Sequence, residues 1–152
     1  MLQIVTNPNP ILRQKAQEIS LPEIKTPAMQ KLVLDMVETM LIKDGIGLAA
    51  PQINKSIRLI IVNTQDGVLA IFNPVITKKS WTKETDEEGC LSIPGCHAIV
   101  KRAYGIEVKG YDRQGEEIKM KAKGLLARVL QHEIDHLDGI LFIDKAKKVR
   151  YE

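Results

Sequence analysis

A segment near the C-terminal end of the chain reads Val129-Leu130-Gln131-His132-Glu133-Ile134-Asp135-His136-Leu137-Asp138-Gly139-Ile140-Leu141. It contains the pattern His-Glu-x-x-His, formed by His132, Glu133 and His136. In an α-helix, side chains four positions apart lie on the same face, one turn above each other. This spacing lets two imidazoles bind one metal ion while the carboxylate reaches a metal-bound water. The segment therefore predicts a metal-binding helix.

The helix is predicted to begin at about Gly124 and to end at Asp138, with Gly139 as its stop signal. At 100° per residue, His132 and His136 lie beside an apolar stripe formed by Leu126, Leu130, Ile134 and Leu137. The histidines are therefore expected to be partly buried. Buried imidazoles without partners destabilise a protein, and a bound metal ion would provide that partner.

A catalytic metal site commonly has three protein ligands, and this helix supplies two. Downstream of the helix, the remaining donors are Asp144, which is close in sequence, and the terminal Glu152. The best upstream donor is Cys90, because the glycines around it let the backbone turn closely about an ion. A thiolate is also a strong metal ligand. Cys96 and His97 remain alternatives at this stage.

The 152-residue chain is long enough for one domain, residues 1–152. Its hydrophobic content of 44% and charged content of 27% are typical of a soluble globular protein. A net charge of +3 is too small to indicate nucleic-acid binding by itself. The N-terminus lacks the features of a secretion signal, and no apolar run approaches the length of a membrane span. We expect a cytoplasmic monomer whose two cysteines form no disulfide framework.

The remaining patterns predict a single α+β domain, in which antiparallel or mixed sheets surround the central helix. Thr26-Pro27 is expected to begin an N-terminal helix that ends at Gly45. Residues 45–52 are apolar but interrupted by glycine and proline, which favours a tight buried loop. Strands are expected at residues 57–62, 68–72, 81–88, 99–101, 106–111 and 117–121, with a hairpin turn at 65–67.

Three further expectations concern the strand ends and the C-terminus. Asn73-Pro74 is expected to break the strand that precedes it. Ile140-Leu141-Phe142-Ile143 is expected to form a short strand. The residues after it, 145–152, read as a basic and solvated tail.

Glu87 and Glu88 are also expected to be solvated, although Glu88 can instead orient a metal ligand. Cys96 is expected to be structural.

Three segments together resemble the signature motifs of the peptide deformylase family. They are Gly45-Ile46-Gly47-Leu48-Ala49-Ala50-Pro51-Gln52, Glu88-Gly89-Cys90-Leu91-Ser92 and Gln131-His132-Glu133-Ile134-Asp135-His136. Their order and spacing match, and the similarity extends over almost the whole chain. The resemblance implies a hydrolase that removes the N-formyl group from the initiator methionine of newly made polypeptides and releases formate.

The resemblance also implies a role for each matched residue. Cys90, His132 and His136 would hold the metal ion, with water as the fourth ligand. The expected ion is Fe(II), although Zn(II), Ni(II) or Co(II) would fit the same site. Glu133 would act as general base and then acid. The oxyanion of the transition state would be met by the Gln52 side-chain amide and the Leu91 backbone N–H.

The expected substrate site is an apolar pocket for methionine beside a strand-like binding edge. Backbone groups of Ile46 and Gly47 would pair with the extended peptide. By the family pattern, the pocket is formed by Ile46, Leu125, Arg128, Val129 and His132. An apolar residue is common at position 128, so the Arg128 stem is expected to line the wall with its charged head in water.

Two other functions remain open on the sequence. One is a metallopeptidase that uses the same pattern to cleave unformylated peptides. The other is a non-catalytic metal-binding module with a closed site, attached to RNA through the basic C-terminal end. A transient contact of the deformylase itself with ribosomal RNA through that end, residues 145–152, is a further expectation.

Overall fold

The structure, a computed structural model, describes residues 1–152. Its helices are α1 (Leu21–Ile24), α2 (Pro27–Ile42) and α3 (Gly124–Leu137). Its strands are β1 (Gly47–Ala49), β2 (Leu59–Thr64), β3 (Gly67–Lys79), β4 (Lys83–Cys90), β5 (Ile93–Ala103), β6 (Gly105–Tyr111), β7 (Glu117–Lys123) and β8 (Ala146–Tyr151). One sheet has the order β1-β2-β3-β6-β7, the other has the order β4-β5-β8, and all neighbours are antiparallel. The predicted single-domain α+β fold is confirmed.

Helix α3 lies between the two sheets, as expected for a central helix. Its apolar side chains Ala127, Leu130, Ile134 and Leu137 pack in one cluster with residues of the five-stranded sheet, including Ile60, Val62, Ile71 and Val108. The helix also contacts β5 of the three-stranded sheet. It ends one residue before the predicted position, and Gly139 follows with φ +73°. A Cβ at Gly139 would lie 2.5 Å from the Arg13 carbonyl oxygen, so this turn requires glycine.

Helix α2 begins as predicted but ends earlier. The Thr26 hydroxyl accepts a hydrogen bond from the Met29 N–H, and Pro27 occupies the first turn. The helix ends at Ile42, and the residue with a left-handed backbone is Asp44, with φ 55°. The prediction that Gly45 stops the helix was therefore wrong. The short polar side chain of Asp44 tolerates the conformation that the sequence suggested for glycine.

The segment predicted as a buried loop, residues 45–52, contains regular structure instead. Gly47–Ala49 forms β1 on β2, and Ala50–Ile53 forms a 3₁₀ turn. Leu48 and Ala49 are fully buried, so their backbone groups need hydrogen-bond partners that an edge strand supplies. The loop prediction was wrong because glycine and proline flank this short strand without interrupting it.

Strand β3 passes through a sequence that was expected to break it. The hairpin turn at residues 65–67 is confirmed, with Gly67 at φ 114°. The strand then continues past Asn73-Pro74 to Lys79, with a register shift between Phe72 and Val75. Asn73 adopts φ 51°, and its side-chain amide exchanges two hydrogen bonds with the backbone of Ile19. Those bonds support a bulge, a position where a strand tolerates proline.

The C-terminal segment also differs from its prediction. Residues 142–144 form a 3₁₀ turn, so the short strand expected at Ile140 to Ile143 is absent. The strand comes later, as β8, which pairs with β5 along the residues expected to be a solvated tail. Most β8 side chains are exposed, which explains why the sequence read as a tail. None of the helices combines the length and the apolar character that a membrane span requires.

Candidate metal centre and substrate cleft

Cys90, His132 and His136 meet at one point between β4 and α3. Their ligand atoms all lie within 4.8 Å of one another, and Cys90 Sγ is 3.4 Å from His136 Nε2. The two alternatives for the third ligand lie elsewhere. Cys96 is buried within an apolar cluster that also contains Leu12, Val100 and Phe142, and it is not among the grouped ligand atoms. His97 contacts the C-terminal Glu152, with 3.1 Å between Nε2 and Oε1. The structure therefore groups Cys90 with the two histidines, as the sequence favoured.

The chemistry of these donors suits a divalent metal ion. Burial, followed by the charges of His132 and Arg102, lowers the pKa of His136 well below its usual value, so its imidazole is neutral and able to bind metal. Two buried polar atoms of the site, Glu133 Oε1 and His136 Nδ1, have no hydrogen-bond partner within the protein. A thiolate with two imidazoles is a ligand set for first-row metals, and three protein ligands leave a position for water.

His132 is oriented by a carboxylate behind it. Its Nδ1 lies 2.9 Å from Glu88 Oε1, so that its Nε2 is the atom free to face the ion. Burial opposes a charge on His132, but Cys90 and Glu88 raise the pKa of its imidazole to about 10. Metal binding at His132 Nε2 therefore competes with a proton on that atom.

Glu88 itself is buried and fully bonded. Arg102 donates from Nε to Oε2 at 2.6 Å and from Nη2 to Oε1 at 2.9 Å, and Arg128 donates to Oε2 at 2.6 Å. Burial acts to raise its pKa, but the hydrogen bonds from His132 and Arg102 outweigh this and lower it to about 2. The expectation of a solvated Glu88 was wrong, and its carboxylate lies instead where it orients the His132 ring.

Arg128 lines the cleft, but its charged head does not reach water. The residue is 5% exposed. One terminal nitrogen donates to Glu88 and to the Val100 carbonyl at 3.0 Å, and the other donates to the Glu84 carbonyl at 2.7 Å. The prediction of a solvated head was wrong because α3 packs directly on the three-stranded sheet, where carbonyls and a carboxylate surround the guanidinium.

The Glu133 side chain is buried where α3 packs against β1. Gly47 makes room for it, because a Cβ at Gly47 would lie 2.5 Å from Glu133 Oε2. Burial raises the pKa of Glu133 to about 7, with His132 acting in the opposite direction. A carboxyl group with this pKa can accept and return a proton near neutral pH.

Two hydrogen-bond donors point toward the same region. Gln52 is buried, and its Oε1 accepts from the Ala49 N–H at 2.9 Å. This bond directs its Nε2 to Ser92 Oγ at 3.1 Å and to Cys90 Sγ at 3.5 Å. The backbone N–H of Leu91 donates no hydrogen bond within the protein. Both donors are therefore positioned beside the cysteine, as the sequence motifs implied.

A cleft of about 860 Å³ opens over these groups. The predicted substrate-binding residues all line it, namely Ile46, Gly47, Leu125, Arg128 and Val129. Strand β1 is at the edge of its sheet, and the Ile46 carbonyl accepts from the Asn63 N–H on the β2 side. Because backbone groups alternate in direction along a strand, Gly47 directs its N–H and C=O to the free edge. The cleft thus combines apolar walls with an unpaired strand edge.

Comparisons with known proteins agree with this arrangement. The family model described as Polypeptide deformylase matches residues 1–152. The peptide deformylase of Pelotomaculum thermopropionicum is 56% identical over 140 residues, which cover 92% of this chain and 88% of that protein. The crystal structure of the Thermotoga maritima peptide deformylase superimposes with a TM-score of 0.93 at 36% identity, covering 97% of this chain and 99% of that one. A Met-Ala-Ser-bound peptide deformylase from Acinetobacter baumannii gives a TM-score of 0.92 at 35% identity, with 95% and 98% covered.

Proposed function

The chain belongs to the polypeptide deformylase family and is an enzyme of that type, and from this premise we propose how its own residues remove the N-formyl group of formyl-methionyl polypeptides. The observation that carries the proposal is the convergence of Cys90, His132 and His136, with Cys90, His132 and Glu133 lining the cleft. A closed structural site would use a fourth protein ligand, and three ligands below an open cleft favour catalysis.

We propose Fe(II) as the ion held by the cysteine and the two histidines, with Zn(II), Ni(II) or Co(II) able to replace it. When bound, the ion makes a water molecule acidic enough to attack near neutral pH and polarises the formyl oxygen. The protein fixes the donors: Glu88 orients the His132 ring, and the low pKa of His136 keeps its lone pair available.

Glu133 is proposed to move the proton. Its Oε1 has no partner within the protein and is therefore able to accept the proton of the attacking water. The same carboxyl group then donates that proton to the leaving amine, which departs as the new N-terminus of the peptide. Proton transfer by a positioned side chain contributes roughly 10²–10⁴-fold to the rate of such a reaction.

The Gln52 amide and the Leu91 N–H are proposed to stabilise the negative charge that develops on the formyl oxygen. Gln52 is held by the Ala49 N–H, so its amide is oriented before the substrate arrives. Leu91 offers a backbone donor with no other acceptor. Removal of one donor of this kind typically costs about 3–4 kcal/mol in the transition state.

The substrate is proposed to extend along the free edge of β1. Gly47 offers its backbone N–H and C=O to the peptide, which allows many sequences after the first residue. The methionine side chain would lie in the part of the cleft formed by Ile46, Leu125, Val129 and the stem of Arg128. The Met-Ala-Ser peptide bound to the Acinetobacter baumannii protein supports a peptide with N-terminal methionine as the ligand.

Newly made polypeptides are the proposed partners, and the cytoplasm is the proposed location. We further propose that the protein acts as a monomer. Exposed basic residues of β8, including Lys147 and Lys148, offer a transient contact with ribosomal RNA. The acidic neighbours Glu87 and Glu152 lie against this end of the sheet and limit such a contact.

The deciding experiment compares formyl-Met-Ala with Met-Ala-containing peptides, using protein prepared without oxygen. Formate release from the formylated peptide alone is the expected result. A Glu133→Ala variant should retain its metal, measured by elemental analysis, and lose nearly all turnover. Cleavage of the unformylated peptides would favour a metallopeptidase, and full turnover by the variant would remove Glu133 from its proposed role.

A further inference from the structure

We propose that Arg128 is a positioning residue for the metal centre: together with Arg102, it holds the Glu88 carboxylate in the place from which Glu88 orients His132. The inference rests on the proposed metal centre but assigns a role that lies outside the ligands, the proton-transfer group and the oxyanion donors. It concerns a residue whose stem forms part of the cleft wall and whose head lies behind it.

The position of Arg128 on α3 makes this role possible. It lies four residues before His132, so the two side chains share a face of the helix one turn apart. Its guanidinium donates to Glu88 and to two backbone carbonyls, those of Glu84 on β4 and Val100 on β5. Three anchors on two strands fix the planar head in one orientation. Arg128 therefore ties α3 to the strand that carries Glu88.

The hydrogen bonds of Glu88 depend on both arginines. Its Oε1 accepts from His132 and Arg102, each at 2.9 Å. Its Oε2 accepts from Arg102 and Arg128, each at 2.6 Å. A carboxylate has about four acceptor positions, so all of them are used. Without Arg128, Glu88 would keep its paired hydrogen bonds from Arg102. Its Oε2 would lose one of two donors, and the carboxylate would lose its link through Arg128 to the carbonyls of Glu84 and Val100.

The charges around the site give Arg128 a second effect with the opposite sign. The carboxylates of Glu88 and Asp135 bind the guanidiniums of Arg102 and Arg128. Removing the Arg128 charge makes this cluster more negative, which by itself would attract a divalent cation more strongly. Loss of positioning would instead weaken metal binding. The two effects therefore predict changes of opposite direction, and the measured affinity separates them.

The test uses Arg128→Met, which keeps the unbranched stem and removes the head, and Arg128→Lys, which keeps the charge without the planar fork. The matched control is Arg58→Met. Arg58 is also largely buried and binds the other end of α3, at the Leu137 carbonyl (2.9 Å) and Asp138 (3.0 Å). Each protein is loaded with Co(II) without oxygen. Thiolate-to-cobalt absorption reports coordination, chelator competition gives the dissociation constant, and thermal unfolding gives stability.

We expect Arg128→Met to weaken Co(II) binding by about 10-fold or more, the range found when a group that orients a metal ligand is removed. Arg128→Lys should weaken binding as well, and it keeps the test decisive if Arg128→Met does not fold. Arg58→Met should lower the unfolding temperature and leave the dissociation constant unchanged. Unchanged or tighter binding in both Arg128 variants, or equal weakening in Arg58→Met, would overturn the proposal.

The readout needs no substrate, so it is independent of deformylation. Normal Co(II) binding by the wild-type protein without formate release would count against the proposed function. The dissociation constants of the variants would still test the role of Arg128. A wild-type protein that binds no Co(II) would overturn the metal centre and the role of Arg128 with it.

Discussion

Glu87 and Glu88 are neighbours on β4, and the strand directs their side chains to opposite faces of the three-stranded sheet. Glu88 faces α3, is 7% exposed and accepts hydrogen bonds from Arg102, Arg128 and His132. Glu87 faces outward and binds Arg150 at 2.9 Å, with side chains that are 45% and 60% exposed. The two residues thus form the same kind of ion pair in two different environments.

We call the enclosed groups the inner cluster and the exposed ones the outer pairs. The inner cluster consists of Glu88, Arg102, Arg128, His132 and Glu133. The outer pairs are Glu87–Arg150 and Arg13–Asp144. Water screens the outer pairs, and each is expected to contribute little to the free energy of unfolding. In the inner cluster, the loss of one charge leaves its partners buried and uncompensated. The buried ion pairs therefore hold the side chains of the site in place.

The largest expected effect comes from Glu88→Ala, which removes the shared partner of two buried arginines. We expect the free energy of unfolding to fall by about 3–5 kcal/mol, the usual cost of breaking a buried ion pair from one side. Urea unfolding in the presence of chelator measures this without a contribution from metal binding. The matched control is Glu87→Ala on the same strand, with an expected loss of less than about 1 kcal/mol. Similar losses in the two variants would contradict the distinction between the two faces.

A second prediction concerns packing inside the inner cluster. In Gly47→Ala the new methyl group would overlap the Glu133 carboxyl group, which must then leave its place beside β1. Displacement of a proton-transfer group by about 1 Å is expected to lower kcat by about 10²-fold. Gly105→Ala is the control, because a Cβ there would meet its nearest neighbour at an ordinary 3.6 Å. The rate of formate release should therefore fall in Gly47→Ala and stay near the wild-type rate in Gly105→Ala. Neither glycine has a left-handed backbone, so strain does not explain the difference.

Local signals in the sequence were sufficient to predict α3 and the face that carries its two histidines. The spacing of His132 and His136 is a property of one helix, and the three motifs bring Cys90 and Gln52 to it through the family resemblance. The hairpin turn at residues 65–67 and the Thr26 cap are equally local. The helix, the turn and the cap depend on residues that are close in the chain, so these patterns could be read without knowing the fold. Cys90 and Gln52 lie far from the helix in sequence, and only the family resemblance connected them to it.

The inner cluster could not be predicted in the same way. Glu88 meets Arg102 and Arg128 across 14 and 40 positions, so its burial depends on how β4, β5 and α3 pack. Its neighbour Glu87 has the same side chain but the opposite environment, because successive side chains along a strand point to opposite faces of the sheet. The β8 strand was missed for a related reason, because an edge strand with exposed side chains has the composition of a tail. Asn73-Pro74 was misread because the bulge depends on Ile19, far away in the chain.

The smallest expected effect belongs to the outer pairs and is tested by pH. The hydrogen bond from Arg13 lowers the pKa of Asp144 below its ordinary value of 3.8. Because the folded-state pKa lies below the unfolded one, the pair stabilises the protein above about pH 4, and this stabilisation is lost as the pH falls through the folded-state value. Asp144→Asn keeps an oxygen for the Leu141 N–H, to which Asp144 Oδ2 is now bonded at 2.9 Å. The variant therefore removes the charge that Arg13 binds and keeps an acceptor for the Leu141 N–H.

We expect Asp144→Asn to lower the free energy of unfolding by less than about 1 kcal/mol at pH 7, with the difference from wild type shrinking toward zero in acid. Glu88, with a pKa of about 2, keeps most of its charge in the folded state down to pH 3 in both proteins, so its contribution cancels in the difference. Urea unfolding from pH 7 to pH 3 provides the measurement. A difference as large as that of Glu88→Ala, or one that grows as the pH falls, would mean that the outer pairs are not screened by water as their exposure implies.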